Sequence, residues 1–259
     1  MVETLKDKVC VVTGSAKSIG LGIASMYAGL DASVAMIDID PDVIPQAEKL
    51  AASGKKVRGY VVDITDQKAV LDCFKEIESS LGPVFALVNN AGIVDTRPVE
   101  EVTPEIMDKV MRVNVHGTLY CCQGAIASMK SLKDGRIINF SSKSGKTGSA
   151  LMSAYSAAKG AIIALTHSLA FELAPHNIKV NCLCPGITDA TGVWNSVSAG
   201  YVETMNMSRE EIIKKFTAKI PLGRLTDIQD LVDYVQFLTV SGDYCTGQAL
   251  NVTGGREVH

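Results

Sequence analysis

Tyr155 and Lys159 stand four residues apart in SKSGKTGSALMSAYSAAK, residues 142–159, at the start of a segment whose apolar residues Ala158, Ile162, Leu165, Leu169 and Leu173 recur at helical spacing. One helix face would carry both side chains, a phenol beside an ammonium. A fixed positive charge favours the phenolate, so the pairing is expected to bring a group that ordinarily ionises near pH ~10 toward neutrality, where it can exchange a proton. Among the seven tyrosines only Tyr155 has a lysine four positions on. An exposed Tyr and Lys without chemistry would show the same spacing, so the pair gains weight from its company. That company is Ser142 thirteen residues upstream, a glycine-rich turn near the N-terminus, and Asn-Asn-Ala-Gly between the two.

The elements that must position these groups can be read from the apolar runs. Short runs alternate with longer helix-period segments along the whole chain, the pattern of βαβ units feeding a parallel sheet in an α/β fold. Strands are expected at 9–13, 33–38, 57–62, 85–89, 136–140, 179–183 and 249–252, with six main helices between them. Their continuous hydrophobicity predicts a sheet covered on both faces, doubly wound. No Pro/Gly/Ser-rich linker divides residues 1–259, which are expected to form one domain.

The first strand runs into Gly14-Ser15-Ala16-Lys17-Ser18-Ile19-Gly20-Leu21-Gly22 and then a helix expected to begin near Ile23. Glycines there let backbone approach a pyrophosphate, and the positive end of the helix receives its charge. An ordinary tight βα turn is the plainer alternative. The second strand ends in Asp38, 18 residues after Gly20, where a dinucleotide fold places the carboxylate that takes the adenosine ribose hydroxyls. Asp38 would repel a 2′-phosphate and no arginine follows it, which favours NAD over NADP; Lys17 is the one dissenting cation. Asp40 is expected to cap the next helix with Pro41 opening it, which leaves Asp38 free. Asp63 and Ile64 end the third strand, where they would either meet an adenine or cap the helix after Asp66. Asn90, Ala91 and Gly92 follow the fourth strand, at the sheet edge where ligands bind. Asn114 falls inside a helix expected from 104 to 129, which implies a local break or a polar residue facing solvent.

Together, TGSAKSIGLG (13–22), NNAG (89–92), Asn114, Ser142, YSAAK (155–159) and Pro185-Gly186 resemble, in order and spacing, the short-chain dehydrogenase/reductase family across essentially the whole chain. The resemblance implies a Rossmann-type, seven-stranded sheet of order 3-2-1-4-5-6-7 and a nicotinamide cofactor. Its contacts would be Gly14, Lys17, Ser18, Ile19, Gly20, Asp38, Asp63, Ile64, Asn90, Ala91, Gly92, Tyr155, Lys159, Pro185, Gly186 and Thr188. It implies a catalytic group of Asn114, Ser142, Tyr155 and Lys159, and a homotetramer with helices near 104–129 and 154–174 in one interface. Two positions depart from the pattern. Ser18 stands where glycine or alanine is common, and the hydroxyl expected four residues after Gly186 falls on Ala190, so the carboxamide contact passes to Thr188, to Thr191 or to the backbone at Thr188.

The implied reaction passes a hydride between NAD(H) and a secondary alcohol or ketone, with Tyr155 as acid/base, Ser142 orienting the substrate oxygen, Lys159 holding the phenolate and the nicotinamide ribose, and Asn114 positioning a water. The segment 188–219 is long, lacks strand signals and carries the single tryptophan, Trp194, so it suits a lid. It resembles lids of polyol, sugar-acid and vicinal-diol dehydrogenases, with a helix expected at 209–218. Substrate contacts are expected from Ser142, Ser144, Tyr155, Gly186 and Trp194. Lys143 or Lys146 would reach an anionic substrate, or both are solvated loop lysines. Reduction of 3-oxoacyl thioesters or hydroxysteroids is the alternative within enzymes, and an inactive NAD-binding regulator or scaffold the alternative outside them.

Composition narrows the partners. Net charge is −3 with no basic run, which argues against nucleic acid, and no apolar window approaches a membrane span. A small-molecule partner and a cytoplasmic location are expected. Seven cysteines without a Cys-x-x-Cys spacing read as reduced core thiols, with no metal site.

Overall fold

The computed structural model describes residues 4–189, 202 and 207–259. Strands β1 (Val9–Thr13), β2 (Ser33–Asp38), β3 (Val57–Val61), β4 (Val84–Asn89), β5 (Gly135–Phe140), β6 (Ile178–Pro185) and β7 (Ala249–Val252) form one parallel sheet in the order β3-β2-β1-β4-β5-β6-β7. The chain reverses direction across the sheet between β3 and β4, so β1 and β4 lie side by side with Thr13 opposite Asn89. This is the switch point where open α/β sheets bind ligands.

Alternation along the strands builds two cores. Cys10 and Val12 of β1 point into one, with Ile23, Ala24 and Tyr27 of α1 (Ser18–Gly29). Val9 and Val11 point into the other, with Phe74 and Ile77 of α3 (Gln67–Leu81). The outer strand β3 corrects the expectation that every strand is covered on both faces: Arg58 and Val61 are exposed while Val57 and Tyr60 are buried. An edge strand has a neighbour on one side only, and here each face carries one buried and one exposed side chain, Val57 with Val61 and Tyr60 with Arg58.

Three helix boundaries differ from the sequence expectation. Helix α1 begins at Ser18 rather than near Ile23, so Gly20 and Gly22 lie within its first turns. Helix α2 (Val43–Ala51) begins two residues after Pro41 and has no side-chain cap, because the Asp40 carboxylate accepts from the Asp42 amide in the turn before it. The helix expected over 104–129 is broken into α4 (Pro104–Met111), a π-helical turn over Arg112–His116 and α5 (Gly117–Leu132). Asn114 sits in that turn and its amide nitrogen donates to the Val110 carbonyl at 3.0 Å, competing with the helical ladder. Among the described residues the remaining α-helices are α6 (Lys143–Thr147), α7 (Ser153–Leu173), α8 (Arg209–Thr217) and α9 (Ile228–Val240). Trp194, Ala190 and Thr191 lie outside the described residues.

Candidate active site

The turn between β1 and α1 is closed by the protein itself. A β-carbon on Gly20 would lie 2.1 Å from the Gly14 carbonyl oxygen, so glycine at 20 seats the helix against the strand. The Asn90 side chain donates to the carbonyls of Thr13 and Gly14, and the Thr13 hydroxyl accepts from the amides of Asn90 and Ala91. Thr13, which the motif reading passed over, thus ties the end of β1 to the end of β4. Asn90 stitches the turn with its side chain.

Asp38 faces the same turn. Its Oδ2 accepts from the Ala16 amide at 2.9 Å and its Oδ1 from the Asp40 amide at 3.0 Å. Lys17 reaches across to Asp40 at 3.1 Å, a hydrogen bond that raises the lysine, while the Asp40 carboxylate is lowered first by the Asp42 amide and then by Lys17. Lys17 is thereby drawn to the loop carboxylate, and no arginine stands at residues 39–42.

Asp63 serves neither helix nor core: its Oδ1 accepts from the Thr65 amide, and the α3 cap is Asp66, which accepts from Ala69. The Ile64 side chain is buried against Gly117, where a β-carbon would meet it at 2.6 Å. Lys17, Asp38, Asp63 and Ile64 stand at the carboxyl ends of β1 to β3, apart from the catalytic candidates.

Those candidates share one cavity of about 420 Å³, which Ile19, Gly92, Asn114, Ser142, Tyr155 and Lys159 all line. Helix α7 presents Tyr155 and Lys159 on one buried face, and the Ser141 hydroxyl pins that helix to the end of β5 by donating to the Lys159 carbonyl at 2.7 Å. The neighbouring Ser142 caps α6, its hydroxyl accepting from the Ser144 amide, and it stands close enough to the Tyr155 phenol to lower its pKa. The capping role and the catalytic role proposed for Ser142 therefore coexist. Ser144 lines the same cavity but its hydroxyl is paired with Ser149 at 2.8 Å.

Electrostatics at the pair run against the sequence expectation. Burial pushes the Tyr155 phenol up to about 12, against which the nearby Ser142 hydroxyl works. Burial likewise pushes the Lys159 ammonium down to about 8. The ammonium donates to the Phe140 carbonyl at 2.7 Å and lies 5.6 Å from the Tyr155 ring centre. Desolvation disfavours both charged forms and here exceeds their mutual attraction.

Asn114 is buried with its amide nitrogen donating to the Ile93 and Val110 carbonyls and its Oδ1 without a partner. A β-carbon on Gly92 would lie 2.6 Å from that Oδ1 and 3.3 Å from Lys159 Nζ. The orphan acceptor and the ammonium therefore face one small space that a side chain at 92 would fill.

The residues present fit a dinucleotide. No side chain caps α1, so its first amides remain available to a pyrophosphate. The cavity reaches Ile19 at one end and Pro185, Gly186 and Thr188 on its far wall. Thr188 is held by a parallel bridge to Thr226, and Gly186 by its amide donating to Val252. Ser18 opens α1 at φ +55° with its hydroxyl buried and unpartnered, a backbone state that glycine adopts more easily.

The two loop lysines are corrected. Lys146 donates to the carbonyls of Ala249 and His259 and so anchors the C-terminal segment; it is absent from the cavity lining. Lys143 is no solvated side chain: it lines the cavity, lies 3.8 Å from Glu257 and is pushed below its ordinary value by burial and by Arg256. Lys215, Lys219 and Arg256 line the cavity as well. They escaped the sequence reading, being separated from the catalytic residues by more than fifty positions.

Comparison with known proteins agrees with this geometry. Residues 8–202 match the family model described as short chain dehydrogenase. The chain is 36% identical over 254 residues to a sorbitol dehydrogenase of Cereibacter sphaeroides, covering 97% of this chain and 98% of the relative. The crystal structure of an NAD⁺-bound xylitol dehydrogenase superposes with a TM-score of 0.93 at 29% identity, covering 97% of this chain and 99% of the other. That of a sorbitol-6-phosphate 2-dehydrogenase from Erwinia amylovora superposes with a TM-score of 0.91 at 31% identity, covering 96% and 100%. With the sheet order, the glycine turn and the Asn-Ser-Tyr-Lys group on one cavity, these matches place the chain in the short-chain dehydrogenase family, whose members act on alcohol groups through a nicotinamide cofactor.

Proposed function

We propose that the protein is an NAD-dependent dehydrogenase of polyols, sugars, sugar acids or vicinal diols, with Tyr155 as proton acceptor. The observation that carries this reading is that Ser142, the buried Tyr155 phenol, Lys159 and Asn114 line one cavity. A secondary alcohol lying between the two hydroxyls would give its proton to Tyr155 while Ser142 orients its oxygen. Bound NAD supplies the hydride acceptor and a positive charge that favours the phenolate. Lys159 would hold the nicotinamide ribose and release its proton toward Asn114, whose orphan Oδ1 suits a relay water.

Asp38 at the end of β2, with Lys17 drawn to Asp40, supports NAD over NADP. The sorbitol and xylitol relatives support a polyol-type substrate. A homotetramer accords with α7, where Ala157, Ala164, Ser168 and Phe171 form an exposed stripe and Phe171 is 85% exposed. Residues 188–219 are proposed as the substrate lid and the location as cytoplasmic.

The test is an NAD-coupled absorbance screen of polyols, sugar acids, diols, 3-oxoacyl thioesters and hydroxysteroids. NADH formation from the first three groups is expected. Turnover confined to thioesters or steroids would reverse the substrate assignment, and NAD binding without turnover of any compound would favour a regulator.

A further inference from the structure

The wall of the cavity is strongly cationic. Lys143, Lys159, Lys215, Lys219 and Arg256 line the cavity, and among the described residues no aspartate or glutamate does. The nearest acid is Glu257, 3.4 Å from Arg256 Nε and 3.8 Å from Lys143 Nζ. One carboxylate between Arg256 and Lys143 leaves these three groups with excess positive charge.

Arg256 is built into this wall rather than left on the surface. Gly254 and Gly255 both take left-handed backbone, at φ +63° and +89°, and press so close to Ile220 and Pro221 that β-carbons there would lie 2.7 and 3.0 Å away. That turn, held by the Arg256 amide donating to the Thr253 carbonyl, lays the guanidinium over the Phe216 ring at 5.4 Å. Its Nη1 is buried without a hydrogen-bond partner. A buried guanidinium donor left unpaired is costly, and carboxylate or phosphate oxygens are the acceptors that satisfy it best.

Resting on the proposed dehydrogenase activity, we infer that the substrate carries an anionic group, a carboxylate or a phosphate monoester, which Arg256 and Lys143 bind inside the cavity with Lys219 and Lys215 at its mouth. Arg256 would be the hydrogen-bonding contact. The three lysines would act mainly by charge, so affinity should fall with ionic strength. A neutral polyol has no group to answer this charge.

The test is calorimetric titration of the enzyme–NAD complex with sorbitol, sorbitol 6-phosphate and gluconate, in the parent, Arg256→Gln and Lys219→Gln. Lys219 is exposed, so the second variant keeps the question open should the first fold poorly. At least one anionic probe is expected to bind ~10-fold or more tightly than sorbitol, and Arg256→Gln should reduce that ratio by at least ~10-fold, the loss expected for one charge-assisted hydrogen bond. Lys219→Gln should reduce it less, and only at low salt. Preference for the phosphate or for gluconate identifies the anion. Sorbitol bound as tightly as both anions, a ratio unchanged in both variants, or weaker NAD binding in Arg256→Gln would overturn the inference, the last by assigning the arginine to the cofactor. Failure of every alcohol to yield NADH would strike the dehydrogenase reading instead, since these ratios need no turnover.

Discussion

Lys159 lies 5.6 Å from the centre of the Tyr155 ring, yet its ammonium hydrogen-bonds the Phe140 carbonyl at 2.7 Å, and both residues are buried. The lysine is therefore a neighbour of the phenol whose influence is outweighed by the desolvation they share. The phenol stands at about 12 and the ammonium at about 8. On the proposed mechanism, the charge that makes Tyr155 a base at working pH would come in part from the bound oxidised cofactor.

Alcohol oxidation is expected to rise with pH, because the phenolate is the deprotonated form, through one ionisation below that of free tyrosine in the NAD complex. Tyr155→Phe should lower kcat by at least ~10²-fold with NAD affinity little changed. Lys159→Ala should weaken NAD binding and move residual activity to higher pH. Steady-state profiles across pH 6 to ~10.5 and NAD titration check all three; near-normal turnover by Tyr155→Phe would sink the mechanism.

Lys159 also makes stability depend on pH. Its folded value of about 8 lies below the ordinary 10.5, so between those values the unfolded chain binds the extra proton and stability rises with pH. Below about pH 8 the penalty is present in full, on the order of 3 kcal/mol. Lys159→Met should therefore gain stability relative to the parent at pH 7 and lose that advantage toward pH ~10.5, partly offset throughout by the unpaired Phe140 carbonyl. Urea denaturation of both proteins across this range is the measurement, and a difference independent of pH contradicts it.

For cofactor choice the informative substitution is Asp38→Asn. Asparagine removes the charge and keeps an oxygen for one of the two amides that Asp38 accepts from, Ala16 or Asp40, so the turn loses one of its two bonds to this side chain. The ratio of kcat/KM for NAD to that for NADP should narrow by at least ~10-fold, about what removing one close charge repulsion is worth. An unchanged ratio would mean that Asp38 does not meet the ribose.

Gly92→Ala should place a methyl 2.6 Å from Asn114 Oδ1 and 3.3 Å from Lys159 Nζ. We expect kcat to fall ~10-fold or more, since the Lys159 contact needs only a few tenths of an ångström but the 2.6 Å contact forces the Asn114 side chain, held by its bonds to the Ile93 and Val110 carbonyls, to shift. Asn114→Ala should remove the same proton path, so the double variant should be no worse than the more damaged single one. Additive losses would show that the two residues act separately.

Contiguous residues determined much of this protein. Each strand is a short apolar run bounded by turn residues, and all seven strand positions were legible to within two residues, since burial on both faces leaves an unbroken hydrophobic signature in the inner strands. Strand β6 ran furthest past its expected end, to Pro185, where its last residues pair with β7. The Tyr155–Lys159 spacing and the glycine turn were legible for the same local reason, and the combination of motifs led to the family.

What the tertiary structure decided is everything that depends on which distant segments cover a group. The pair's spacing says that the phenol and ammonium are neighbours; how far each is removed from water depends on β5, α6 and the segment after β6, and that burial reversed the expected shift of Tyr155. Asp40 took Lys17 and the Asp42 amide, and α2 began later than Pro41 suggested, through contacts that sequence order does not encode. Arg256 reaches the cavity only because Gly254 and Gly255 turn the chain there and α8 supplies Phe216 beneath it. Desolvation and the meeting of remote charges are sums over the whole fold, whereas periodicity and turn chemistry are properties of a few adjacent residues.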